Sequence, residues 1–146
     1  MDTVFDRDTA VRRIEHAPET SAQAASEVLF AADIASGWRA GRGPHGGYLA
    51  AMFLRAFTGA VDDPGRTPRS LTIHYTRAPE PGPIEIRVTV ERAGRSLSTL
   101  SARMEQADRV TALALAAFSV PREAPGANEL PIPDLPPADA ERVSTA

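Results

Sequence analysis

The residues best suited to chemistry lie in one short stretch, Trp38-Arg39-Ala40-Gly41-Arg42-Gly43-Pro44-His45-Gly46-Gly47-Tyr48-Leu49. Its glycines and proline run into the helix-forming segment Leu49-Ala50-Ala51-Met52-Phe53-Leu54. That order predicts a loop whose backbone N–H groups point outward at a helix start. Such a loop suits an oxyanion, a phosphate or a polarised carbonyl. His45 is the loop's one imidazole, a group able to act as a base toward water, to hydrogen-bond a carbonyl oxygen, or simply to cap and order the loop. Gly46 and Gly47 either admit a ligand to the backbone or let the helix start pack tightly on a sheet.

Other chemistries are narrowed by what the chain lacks. There is no cysteine, which removes disulfides, thiolate metal sites and a cysteine nucleophile. The three histidines are far apart in sequence and make no zinc set, so no metal site is expected. Without a Gly-x-Ser-x-Gly turn, a serine hydrolase triad has no support. All 16 basic residues are arginine, so scattered surface guanidiniums are expected. Arg42, Arg77 and Arg95 are nonetheless suited to phosphate, which a guanidinium binds through two parallel hydrogen bonds. The net charge of -3 and pI near 5.6 give no attraction for nucleic acid. The amino terminus lacks the pattern of a signal peptide, and no apolar run reaches bilayer length, so no membrane partner and a cytoplasmic location are expected.

The elements that must position the loop follow from periodicity. Residues Asp6 to Ile14 fit a short helix, and Ser26 to Ile34 a first long strand. Tyr48, Leu49, Met52, Phe53 and Phe57 leave the helix from Gly46 to Phe57 almost no polar face, which predicts burial nearly all round. Strand alternation then takes over, with Leu71, Ile73 and Tyr75 opposed to Thr72, His74 and Thr76. It continues with Ile84, Ile86, Val88 and Val90 against Glu85, Arg87, Thr89 and Glu91. Strands Leu97 to Met104 and Val110 to Val120 complete a hairpin series. From Pro121 onward six of the thirteen prolines crowd the chain, and neither period persists. One domain over residues 1–120 and a linker or disordered tail over 121–146 are expected. A helix apolar on all sides requires a sheet curved about it and a partner to close the remaining flank.

Three segments carry a family resemblance: Trp38 with Gly41 to Ala51, Leu71-Thr72-Ile73-His74-Tyr75-Thr76-Arg77-Ala78-Pro79, and Gly94-Arg95-Ser96-Leu97-Ser98-Thr99. In this order and spacing the chain resembles the first repeat of double-hotdog (TesB-like) acyl-CoA thioesterases, over roughly Trp38 to Phe118. The resemblance implies an α+β hotdog fold, a long buried central helix wrapped by a curved antiparallel sheet of about five strands. It implies a role in fatty acid metabolism, with a coenzyme A thioester as substrate and no other cofactor. It also implies a homodimer or a second hotdog domain as partner, with the acyl-CoA between the units. His45, Gly46 and Gly47 would then be catalytic, while Arg42, Tyr48, His74, Arg77, Arg95 and Ser96 would bind substrate.

One departure stands out, because the helix from Gly46 to Phe57 has no carboxylate. Hotdog thioesterases of this kind use an Asp or Glu near the central helix, and in the TesB-like group the water-organising residues sit mainly in the second repeat. The expectation is therefore thioesterase activity in combination with a second unit. The alternative is a non-catalytic acyl-thioester binding or dimerisation module. A hotdog hydratase or dehydratase ranks last, since His45 has no neighbouring acid in sequence.

Overall fold

The structure, a computed structural model, describes residues 3–14, 27–123 and 133–134. A five-residue helix α1 (Val4–Asp8) opens the chain, capped by Thr3, whose hydroxyl accepts from the Asp6 N–H while the Asp6 carboxylate reaches back to the Thr3 backbone. It is followed by a short strand β1 (Arg12–Ile14). The single helix expected over Asp6 to Ile14 is thus a helix and then a strand. Thr9, fully buried, ends the helix with its hydroxyl on the Phe5 carbonyl.

The main strands are β2 (Glu27–Ile34), β5 (Thr67–Tyr75), β6 (Gly82–Ala93), β7 (Leu97–Gln106) and β8 (Arg109–Ser119), with a two-residue pair β3 (Arg39–Ala40) and β4 (Gly43–Pro44) in the glycine loop. Six strands form one antiparallel sheet in the order β1-β2-β6-β7-β8-β5. The sheet therefore has six strands and not about five. The addition is β1, which Arg12-Arg13-Ile14 could not announce because three residues hold no alternation. The proline-rich tail expected from 121 lies outside the described residues except for 121–123 and 133–134.

Between β4 and β5 runs α2 (Gly46–Val61), four residues longer than the apolar run suggests. It packs against β2, β5, β6, β7 and β8. Five strands span roughly 19 Å, about twice a helix diameter, so a sheet that touches one helix with all five must coil around it. The inner face supplies Phe30, Ile86, Val88, Leu100, Met104 and Phe118, and the helix supplies Tyr48, Leu49, Met52, Phe53, Ala56 and Phe57. Small residues Ala112, Ala114 and Ala116 on β8 leave room for the helix to lie close. The helix is not buried all round, since Ala50, Ala51, Leu54 and Arg55 are only half-buried. Their flank is partly covered by α1, with Arg55 Nη2 donating to Asp6 Oδ1 at 2.7 Å.

Candidate functional site

The amino end of α2 is built by capping. His45 is the N-cap, and its Nδ1 accepts the Gly47 N–H at 3.0 Å. The His45 carbonyl accepts the N–H groups of Tyr48 and Leu49, and its own N–H donates to the Trp38 carbonyl at 2.7 Å. Of the first-turn donors, the Gly46 N–H is left without an acceptor among the described residues. A neutral imidazole that accepts at Nδ1 carries its proton at Nε2, so the cap leaves His45 a donor of its own. An unaccepted N–H at a helix start is chemically suited to an oxygen carrying partial negative charge.

Around this end the fold gathers an aromatic wall. Trp38 stacks on Tyr48 with ring centroids 5.4 Å apart and meets Phe5 edge-on at 5.5 Å. The Trp38 Nε1–H donates to Asp8 Oδ2 at 3.0 Å. Hydrogen bonds from Arg7 and then Trp38 hold the Asp8 carboxyl below its usual range. Phe5, Trp38, Arg39, His45, Gly47 and Tyr48 line a cavity of about 470 Å³. On the other side Tyr75, at the end of β5, donates its hydroxyl to the Gly46 carbonyl at 2.6 Å. Burial pushes its phenol up, so it is protonated and can donate.

The structure brings together some of the residues expected to form the site and separates others. His45, Gly46 and Gly47 sit at the helix start as anticipated, but the Nδ1 of His45 is occupied by its own helix, which removes the nitrogen a base would use. Tyr48 is 1% exposed. Its hydroxyl donates to the Asp8 carbonyl and accepts the Ala35 N–H, so it ties α2 to β2 and α1 and forms the cavity floor. Arg42 is exposed in the turn between β3 and β4. That turn is near the exposed Arg77, because a Cβ at Gly43 would lie 2.6 Å from the Ala78 Cβ. Arg39 joins them at this end, 3.7 Å from Glu80.

His74 faces away. It pairs across the ladder with Leu113 and lines a hollow of about 590 Å³ on the outer sheet face, with Arg87, Arg103 and Leu115. Arg95 and Ser96 stand in the β6–β7 turn, where Arg66 Nη2 donates to the Gly94 and Arg95 carbonyls. That turn lies by the carboxyl end of α2, a helix of 16 residues and so roughly 24 Å long. Within one chain neither residue reaches the loop. Tyr75 and Asp8 were not recognisable as site neighbours from sequence, since each reaches the loop from a distant segment, whereas Trp38 belongs to the stretch singled out there. Among the described residues no group of His, Asp and Glu is arranged to hold a metal ion.

Comparison with known proteins adds the decisive observation, a match of residues 34–119 to the model of the acyl-CoA thioesterase N-terminal domain. The chain belongs to that family. No curated protein matches it. Among solved structures, a conserved protein of unknown function with hotdog fold from Alicyclobacillus acidocaldarius is 24% identical, with TM-score 0.70 over 94% of this chain and 47% of its own. A protein named as a thioesterase II from Thermobifida fusca is also 24% identical, with TM-score 0.72 over 92% of this chain and 46% of its own. A thioesterase from Haemophilus influenzae is 12% identical, with TM-score 0.63 over 77% of this chain and 79% of its own. At such identities the likeness establishes the hotdog fold. This acyl-CoA thioesterase N-terminal domain spans about half the length of the first two proteins. No described helix is long and apolar enough to cross a membrane.

Proposed function

We propose that the chain is the first unit of a TesB-like double-hotdog acyl-CoA thioesterase and receives an acyl-CoA carbonyl at the amino end of α2. The observation that carries this reading is the Gly46 N–H, without an acceptor among the described residues, at a helix start whose cap, His45, keeps Nε2 out of the capping bond. In the proposed reaction water adds to the thioester carbonyl, these donors stabilise the tetrahedral oxyanion, and collapse expels the coenzyme A thiolate, which takes up a proton. Arg42 and Arg77, with Arg39, are suited to the coenzyme's phosphates. No metal or redox cofactor is needed for this chemistry, and a cytoplasmic enzyme of fatty acid metabolism fits it.

The base that activates water must come from a second unit, because α2 has no carboxylate and His45 Nδ1 is engaged. A second hotdog domain or a second copy would pair along β5, the sheet edge that bonds only to β8. Half-length coverage of two structures favours a second domain. The missing carboxylate equally supports the other reading, a non-catalytic binding or dimerisation module for acyl thioesters. A hydratase would need His45 as base and has least support.

Thiol release from short and long acyl-CoAs tests the proposal, on the chain alone and joined to a second hotdog unit bearing an aspartate. Turnover in the joined form, reduced in Gly46→Val, is expected. Saturable acyl-CoA binding without turnover in either form would favour the binding module, and neither binding nor turnover would overturn both.

A further inference from the structure

We propose that Tyr75 is a positioning residue for the thioester site, acting on His45 through the Gly46–Gly47 peptide; the inference rests on the thioester reading above. The Tyr75 hydroxyl donates to the Gly46 carbonyl at 2.6 Å. The same peptide unit carries the Gly47 N–H, which donates to His45 Nδ1 at 3.0 Å. The path is continuous, from phenol O–H to carbonyl, through the amide, and from its N–H to the imidazole. Hydrogen bonds in series polarise one another, so a donor on the carbonyl makes the N–H of that amide a stronger donor. A stronger bond into Nδ1 holds His45 in the tautomer with its proton at Nε2, the nitrogen free to meet a substrate oxygen.

The packing agrees with this role. A Cβ at Gly46 would lie 3.3 Å from Tyr75 Oη and 3.4 Å from its ring, so glycine is what allows the phenol to stand against the peptide. Tyr75 is 49% exposed and Ile73 and Leu71 anchor its strand face in the core. Tyr75 touches no reacting atom in this scheme and sets the donors that do.

The test uses the full chain, isotope-labelled, as wild type, Tyr75→Phe and Tyr75→Leu. In Tyr75→Phe the ring remains and only the donor is lost. The Gly47 amide proton should then move upfield, and the imidazole nitrogens of His45 should change from one tautomer toward a mixture, with resonances elsewhere unmoved. With a second unit present, kcat for acyl-CoA should fall about fivefold with KM within about twofold, the scale of one hydrogen bond. Tyr75→Leu, lacking ring and hydroxyl, should lose more, and Phe should recover only the share due to packing. Unchanged Gly47 and His45 signals in Tyr75→Phe overturn the proposal, as does unchanged kcat in an active enzyme. Failure of the wild type to release thiol overturns the thioesterase reading instead, and the Gly47 and His45 signals then decide the hydrogen-bonded chain by themselves.

Discussion

The two ends of α2 are finished in opposite ways. At the carboxyl end the hydrogen bonds of the described residues turn inward on the chain itself. Asp62 adopts a left-handed conformation, φ 47° and ψ 38°, and its N–H returns to the Thr58 carbonyl. Asp63 accepts from the Gly65 N–H at 2.9 Å and from Arg66 Nε at 3.0 Å. Arg66 then reaches Ser98 Oγ at 2.8 Å and the carbonyls of Gly94 and Arg95, fastening the helix exit to the β6–β7 turn. At the amino end the cap is made by an imidazole with one nitrogen to spare, and the Gly46 N–H is unaccepted among the described residues. One end is closed on the fold and the other keeps hydrogen-bonding capacity unused among the described residues.

Substitutions at the two ends should therefore separate activity from stability. The largest effect is expected at Gly46→Val, whose side chain meets Tyr75 and so disturbs the peptide that carries the helix-start donors. Turnover of the form joined to a second unit should fall about 100-fold, the scale of one oxyanion donor, at a temperature where the variant is folded; activity that fell only as the variant unfolded would make Gly46 a packing residue. Arg66→Ala should do the reverse. Loss of several bonds to a mostly buried guanidinium should cost about 2–3 kcal/mol in urea unfolding, with kcat/KM unchanged at a temperature where the variant is folded. Full stability in Arg66→Ala would show that the carboxyl end is not held by this network.

His45 sharpens the contrast because it serves both purposes. His45→Ala should lose a cap, about 1 kcal/mol, together with activity, whereas His45→Asn should restore the cap but not the turnover. Equal activity in histidine and asparagine forms would reduce His45 to a cap. The smallest effect concerns acid. The Thr3 hydroxyl and N–H, then Arg55, depress Asp6, and the Gly65 N–H, then Arg66, depress Asp63, each below its ordinary 3.8. A depressed folded value means stability fully present above 3.8 and lost as pH falls through the lower folded values. The stability gap between wild type and Asp6→Asn or Asp63→Asn, followed by urea midpoints, should therefore close in that window. A gap that persisted into stronger acid would contradict ionic capping.

Much of this was legible in order. The strict alternation of Ile84, Ile86 and Val88 with Glu85, Arg87 and Thr89 sets β6, because a half-buried strand must repeat every second residue. Gly46-Gly47 before an apolar run marked the helix start. What escaped was local weakness or distant pairing. Arg12 to Ile14 is too short for a period, and Arg66 is one arginine among 16, with nothing nearby in sequence to single it out. His74 sits in a recognisable strand, and its alternation with Ile73 already placed it opposite the core. Its distance from the loop depends on which sheet face the helix covers.

Residue types and their periods determined on their own that one apolar helix would lie against antiparallel strands, since burial of apolar area follows a repeat read along the chain. They also determined that the chain has no cysteine and that no carboxylate lies on the apolar helix. Only the tertiary structure decided which end of the helix is sealed by Arg66, that Tyr75 meets Gly46 from 29 residues away, and that His45 spends Nδ1 on its own helix. Those are matters of direction and distance between segments, and a hydrogen bond exists only where both are met.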